Sequence, residues 1–64
     1  MPGVGNYISF KDWPGQIWKV RKIIPQNNRL EATLLLDSTN RYSKGITVVT
    51  PANDPQIEIL SHED

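Results

Sequence analysis

The stretch GQIWKVRKIIPQNNRL, residues 15–30, constrains the fold of this chain more than any other part of its sequence. It is an apolar run interrupted by cations, followed by Pro25 and three amide side chains. Proline has no backbone N–H to donate to a neighbouring strand, and asparagine tolerates the left-handed geometry of tight turns. The stretch therefore predicts a strand, a turn and the beginning of another strand.

Apolar and polar side chains do not alternate cleanly within the first of these strands. Alternate positions place Trp18, Val20, Lys22 and Ile24 on one face and Ile17, Lys19, Arg21 and Ile23 on the other. Neither face is wholly apolar. This pattern is typical of a strand that bends around a small barrel or carries a bulge.

The same stretch resembles a KOW motif, the strand-turn-strand unit of one large-subunit ribosomal protein and of NusG-type elongation factors. Residues 15–20, GQIWKV, follow the first part of the motif, and Pro25, Asn28, Arg29 and Leu30 follow the second. Two registers fit, because either Gly15 or Trp18 can occupy the family's glycine position. The resemblance covers about a quarter of the chain. It implies a small SH3-like barrel of the KOW or Tudor-like kind, and it implies RNA or DNA as a partner.

Further strand patterns occur on both sides of this stretch. Residues 6–10 and 56–60 alternate, and residues 46–50, ITVVT, are β-branched throughout. Between residues 6–10 and the strand after Gly15, the segment KDWPG at 11–15 predicts a turn, since proline and glycine both favour chain reversal. The sequence therefore predicts five strands, near residues 6–10, 16–24, 30–37, 46–50 and 56–60.

The segment LEATLLLD, residues 30–37, could form either a helix or a strand, because leucine, glutamate and alanine favour helices while strand patterns lie on both sides. Eight residues without a C-terminal cap form a marginal helix. We interpret the segment as a strand with Leu30, Thr33 or Leu34, and Leu36 pointing inward. A three-stranded sheet with a helix here is the main alternative.

Five short antiparallel strands in about 55 residues predict an all-β fold, a single five-stranded SH3-like barrel. An OB-fold generally needs longer strands. We expect one domain, residues 1–64, with flexible ends at 1–5 and 61–64. A chain of 64 residues buries only about 60% of its unfolded surface, which argues against a deep enzyme pocket.

The composition narrows the possible locations and partners. The chain has no cysteine, no apolar run of membrane-spanning length and no signal-peptide pattern, so we expect a cytoplasmic protein with no membrane partner. Its net charge is zero, but residues 1–29 carry five cations and one carboxylate, whereas residues 30–64 carry two cations and six carboxylates. The halves are thus near +4 and −4, which favours a protein or nucleoprotein partner, or a homo-oligomer, over nonspecific nucleic-acid binding.

No pattern for catalysis is present. There is no phosphate-binding glycine loop, no nucleophile beside a base and no pair of carboxylates in an apolar setting, so we predict a non-enzyme without cofactors. His62 lies beside Glu63 and Asp64, but without a second histidine or a cysteine we interpret this end as a solvated tail, not a metal site. One enzymatic alternative stays open. The turn at residues 15–17 resembles plasmid-type dihydrofolate reductase, a short SH3-like barrel that builds its active pore from several copies, although the strand motif lining that pore is absent.

The predicted binding face combines aromatic and basic side chains. Trp13 stands in a turn beside Pro14 and is a candidate exposed anchor, and aromatic rings near cations can stack on bases or on a peptide. Core packing is the alternative role for Trp18, and a solvated strand face is the alternative for the cations. The predicted binding residues are Trp13, Trp18, Lys19, Arg21, Lys22, Arg29 and Tyr42.

These observations predict a small binding module, an adaptor or a regulatory subunit that acts on a protein or nucleoprotein partner. An RNA- or DNA-binding protein of the KOW type is the first alternative.

Overall fold

The chain forms one five-stranded antiparallel sheet in a computed structural model that describes residues 2–62. The strands follow in the order β4-β3-β2-β1-β5, so each of β1 to β4 pairs with its neighbour in sequence and β5 returns to β1. The predicted all-β class and five strands are confirmed, and the alternative with a helix at residues 30–37 is wrong. The elements are β1 (Asn6–Phe10), β2 (Trp13–Ile24), a 3₁₀ turn η1 (Pro25–Asn27), β3 (Arg29–Asp37), β4 (Thr47–Pro51) and β5 (Ile57–His62).

The turn between β1 and β2 is shorter than predicted. Phe10 pairs directly with Trp13, so only Lys11 and Asp12 connect the two strands. The expected turn over residues 11–15 is therefore wrong in its second half, which belongs to β2. Gly15 bends the strand there with φ of +86°, a conformation that favours glycine.

The turn between β2 and β3 is confirmed at the predicted place. Pro25 begins the 3₁₀ turn, and Asn28 ends it in the left-handed region with φ of 54° and ψ of 48°. Asn28 also donates its backbone N–H to the carbonyl of Pro25. The amide-rich composition of this segment fits that geometry, since the left-handed backbone conformation costs less free energy for asparagine than for most residues.

Bulges explain the irregular alternation of β2. Val20 pairs with Ala32 and Lys22 with Glu31, so Arg21 is an extra residue on β2. Beyond this point Ile23 packs against the core. The predicted bend or bulge in this strand is therefore confirmed.

A second bulge corrects the prediction for β3. Ile17 pairs with Leu36 while Trp18 pairs with Leu34, so Leu35 is an extra residue on β3. A single extra residue moves the following side chain to the other face. Leu36, predicted to point inward, is consequently 53% exposed, whereas Leu34 is fully buried.

The core lies on one face of the sheet, which we call the inner face. Burying a leucine or isoleucine side chain contributes roughly 1.5–3 kcal/mol, so these positions supply much of the folding free energy. The largest fully buried side chains are Ile8, Leu30, Leu34 and Val20.

Backbone hydrogen bonds attach the connecting segments to this core. The N–H of Gly5 donates to the carbonyl of Val20 at 2.9 Å, and Pro2 is buried. The N–H of Ala52 donates to the carbonyl of Asn28 at 2.9 Å, which ties the end of β4 to the turn before β3. The described part of the chain excludes residues 1, 63 and 64 and the side chains of residues 61 and 62. The prediction of a solvated tail at His62, Glu63 and Asp64 therefore falls outside it.

Within residues 2–62, no helix is long and apolar enough to cross a membrane.

Candidate functional site: an aromatic groove on the inner face

The candidate site is a groove of about 400 Å³ at one end of the inner face, where the sheet leaves the core uncovered. We call it the aromatic groove. Its walls come from the β1–β2 turn, β2, the loop before β4, β4 itself and the turn before β5. The lining residues are Phe10, Asp12, Trp13, Gln16, Trp18, Tyr42, Ile46, Thr47, Val48, Thr50, Asp54 and Gln56.

Two half-exposed aromatic rings form one wall of the groove. The ring centroids of Trp13 and Tyr42 lie 6.2 Å apart, and the ring planes cross at 66°. Trp13 is 43% exposed and Tyr42 45% exposed. Edge-to-face pairs of this kind are attractive, so each ring holds the other in place while its remaining surface is open to a ligand.

The floor of the groove is Trp18, which is 6% exposed. Its ring meets Phe10 edge-on, with centroids 5.9 Å apart and planes at 80°. Its indole N–H donates to Oε1 of Gln16 at 3.1 Å, which satisfies the one polar atom of a buried side chain. Trp18 therefore packs in the core and also lines the groove. Core packing and a place in the binding face, the two roles predicted for it, are compatible.

Asp37, at the end of β3, organises the loop that carries Tyr42. Its carboxylate accepts the backbone N–H of Thr39 at 2.9 Å, of Arg41 at 3.2 Å and of Tyr42 at 3.1 Å, and it also accepts the Thr39 hydroxyl. The amide of Gln16 donates to the same carboxylate at 3.4 Å. A chain of hydrogen bonds thus runs from the groove floor through Gln16 to the loop.

These donors lower the pKa of Asp37, with the Thr39 hydroxyl as the largest cause, followed by the opposing effect of desolvation and then by the N–H groups of Thr39 and Tyr42. Hydrogen bonds to the charged form of a carboxylate favour that form. Asp37 is therefore held as an anion across the neutral range, and three backbone N–H groups of the loop donate to that charge.

The turn before β5 forms another wall, and hydrogen bonds to Asp54 order it. The carboxylate of Asp54 accepts the N–H of Gln56 at 2.9 Å and the hydroxyl of Thr50 at 3.3 Å. Oε1 of Gln56 in turn accepts the N–H of Asp12 at 3.0 Å. Both walls of the groove are thus fixed by hydrogen bonds in which a carboxylate or an amide accepts backbone N–H groups.

The predicted binding residues divide into two groups in the structure. Trp13, Trp18 and Tyr42 come together in the aromatic groove. The cations do not join them, since the groove lining contains no basic residue of the described part of the chain.

The cations instead follow the outer face of the sheet. Lys19 lies between the buried Trp18 and Val20, and its Nζ stands 5.6 Å from the ring centroid of Tyr7. Lys22 pairs with Glu31, whose neighbours Leu30 and Ala32 point inward. Arg29 pairs with Ile24 and Pro51 beside the buried Leu30, and Arg21 is exposed at its bulge. Whether the outer-face cations bind a partner stays a prediction.

The outer face also carries an apolar patch. Tyr7, Ile17, Leu35, Leu36 and Leu60 line a shallow depression there, and Leu36 and Leu60 are 53% and 51% exposed. Leu35 and Leu60 reach this face at bulges in β3 and β5.

Sequence reasoning missed the polar residues that build the groove, Gln16, Asp37, Asp54 and Gln56. A local signal existed for Asp37, because an aspartate followed by a Ser-Thr-Asn segment favours a turn in which its side chain accepts nearby N–H groups. No such signal existed for Gln16, whose partner Asp37 is 21 residues away.

Among the side chains of residues 2–60, no three from cysteine, aspartate or glutamate lie close enough together to hold a metal ion. No protein-family model matches the chain, and the searches of curated proteins and of solved structures also gave no match.

Proposed function

We propose that this chain is a small, non-catalytic binding module that holds an extended segment of a protein partner in the aromatic groove. The observation that carries the proposal is the pair of half-exposed rings, Trp13 and Tyr42, above an apolar floor. Tryptophan and tyrosine dominate the binding energy of protein interfaces, where they fill partly enclosed pockets.

The rigidity of the groove walls supports this role. Asp37 fixes the loop of Tyr42, and Asp54 and Gln56 fix the turn before β5, which also lines the groove. Binding costs less when the receiving surface is already ordered, because fewer side chains and loops lose freedom. A protein of 64 residues with a thin core gains affinity in this way without needing a large interface.

The architecture proposed with this function is an SH3-like barrel. Strands β1 to β4 pair in sequence and β5 returns to β1, so an approach of β4 to β5 without hydrogen bonds between them gives a nearly closed barrel and leaves the β4 edge open. The bulges of β2 and β3 bend it in support of such a closure. The N–H of Ala52 donates to the carbonyl of Asn28, which holds the chain after β4 at the turn before β3.

Capture of the partner from host lysate tests the proposal. We expect the tagged chain to retain a protein partner after nuclease treatment, and we expect the double variant Trp13→Ala with Tyr42→Ala to lose it. The matched control is Leu36→Ala with Leu60→Ala, which removes two similarly exposed apolar side chains from the outer face. Retention of the partner by the groove variant, with its fold intact, would overturn the proposal.

Nucleic-acid binding through the outer face is the second candidate. The observation in its favour is that Lys19, Lys22 and Arg29 share that face with the ring of Tyr7. Binding of this kind weakens steeply between about 50 and 200 mM salt, because it depends on neutralised phosphates. On this candidate, Arg21→Glu with Lys22→Glu abolishes the interaction, nuclease releases the partner, and the groove variant binds normally.

A further inference from the structure

We infer that the aromatic groove is selective for a cationic side chain, arginine or lysine, presented by an extended segment of a protein. The inference rests on the proposed function, since it names the chemistry of the ligand at the same groove.

The aromatic corner supplies the first part of the argument. The rings of Trp13 and Tyr42 meet edge to face, and because the two residues are 43% and 45% exposed, the ring surface outside this contact is open to a ligand. The face of an aromatic ring is negative, and cations placed over tryptophan or tyrosine within about 6 Å of the centroid are attracted to it. Trp18, which also lines the groove, adds a third aromatic ring.

The charge of the lining supplies the second part. Asp12 and Asp54 both line the groove, and of the described residues that surround it none is basic. An anionic ligand such as a phosphate meets two like charges here. A neutral apolar ligand displaces water from two carboxylates without replacing those contacts, which costs free energy. A cation is attracted to the carboxylates and also to the faces of the rings.

The carboxylate of Asp54 is already held in position. It accepts the Gln56 N–H at 2.9 Å and the Thr50 hydroxyl at 3.3 Å, and these contacts order it before a ligand arrives. Asp12 is anchored through its backbone N–H, which donates to Gln56 at 3.0 Å, while its side chain is exposed. One carboxylate is thus preset and the other is free to follow the cation.

The edge of the sheet explains why the cation belongs to an extended segment. Strand β4 is at the end of the strand order, and Thr47, Val48 and Thr50 of this strand line the groove. An extended peptide can lie along an edge strand and place one side chain into a pocket beside it. A groove of about 400 Å³ with an edge strand along it therefore suits a side chain together with its flanking backbone.

Both tryptophans of the chain line the groove, so their indole N–H signals in a two-dimensional NMR spectrum report on it directly. The probes are the N-acetyl amides of arginine, lysine, citrulline and glutamate. Citrulline keeps the shape of arginine without its charge. We expect arginine and lysine to shift both signals with millimolar dissociation constants, citrulline to bind about three- to tenfold more weakly, and glutamate to leave the signals unchanged.

A matched pair of variants separates the groove carboxylates from the net charge. Asp12→Asn with Asp54→Asn should weaken arginine binding about three- to tenfold, whereas Glu31→Gln with Glu58→Gln, which changes the net charge equally, should leave it within about twofold. If the first variant unfolds, Asp12→Asn alone, at an exposed side chain, carries the test and should weaken binding about two- to threefold.

Equal binding of arginine and citrulline would overturn the inference and leave the groove as a binding site. Equal effects of the two variant pairs would overturn it as well, and so would the absence of any shift with arginine and lysine. The proposed function fails by a different result, namely capture of the partner by the variant that lacks Trp13 and Tyr42.

Discussion

The two ends of the inner face are built from different interactions. At the closed end, Ile8, Val20 and Leu30 are fully buried and pack apolar against apolar. At the groove end, Trp13 and Tyr42 are nearly half exposed, and hydrogen bonds to Asp37 and Asp54 hold the walls that present them. On the proposed function, stability and binding reside in separate parts of a very small core, so mutations should be able to affect one without the other.

Leu30→Ala should break the closed end and produce the largest effect. Removing a fully buried leucine leaves a cavity and lowers the free energy of unfolding by about 2–5 kcal/mol, much of what a domain of this size possesses. Urea denaturation followed by circular dichroism measures the change. Leu36→Ala, at a leucine that is 53% exposed, is the control and should cost less than about 1 kcal/mol. Equal losses at the two positions would contradict the placement of the bulge in β3.

Gly15→Ala should have an intermediate effect at the boundary between the two ends. Gly15 has φ of +86°, and an added Cβ would collide with the side-chain oxygen of Ser38, whose N–H donates to the Gly15 carbonyl at 2.8 Å. We expect a loss of about 1–2 kcal/mol in the free energy of unfolding. Gly3→Ala is the matched control, because no atom lies within 4 Å of its added Cβ. A loss at Gly3 as large as that at Gly15 would contradict this explanation.

Asp37→Asn should loosen the groove end and leave the closed end intact. The lowered pKa of Asp37 means that its charge stabilises the fold above the pKa of the unfolded chain, and this contribution disappears as pH falls through the lower folded value. The stability of the wild type should therefore decline as the pH falls from above the pKa of the unfolded chain through the lower pKa of the folded protein.

The comparison of the two proteins across that pH range is the measurement. The Asp37→Asn variant should show a shallower decline, and the amide signals of Thr39 and Tyr42 should broaden or move while those of Val20 and Leu30 stay in place. Identical pH profiles for the two proteins would show that the loop does not depend on the carboxylate.

Trp13→Ala should have the smallest effect on stability. Its ring is 43% exposed and packs edge to face against Tyr42, so we expect a loss below about 1 kcal/mol. Thermal unfolding of this variant beside Trp13→Phe, which retains a ring, measures the difference. A loss that matches Leu30→Ala would remove the distinction between the two ends of the inner face.

Much of the fold was readable from local sequence. β-branched and alternating segments located the strands within a few residues, and Pro25 with Asn28 located a turn that the structure confirms. The side of the sheet on which Leu36 lies was not readable, because it depends on a bulge that forms between two strands. Alternation within one strand cannot reveal an extra residue that only its partner strand defines.

The candidate site was readable only in part. Trp13 and Tyr42 were both predicted as binding residues, but the structure brings them together across 29 positions of sequence and separates them from the cations of β2. Gln16 was overlooked because its function, joining Trp18 to Asp37, depends on a contact between distant segments. The aromatic members of the site were thus visible in sequence, whereas its polar scaffold was not.

The bulge at Arg21 marks the position at which β2 can gain or lose a residue without a change in the faces of its other side chains. Val20 points inward, Lys22 outward and Ile23 inward, so a deletion of Arg21 would leave every other side chain of β2 on its present face. A deletion of a neighbouring residue outside the bulge would instead invert the remainder of the strand. Homologous chains should therefore gain or lose a residue at this position more readily than elsewhere in β2. A β2 strand that lacks this residue should be straighter, and its side chains should stay on the same faces of the sheet.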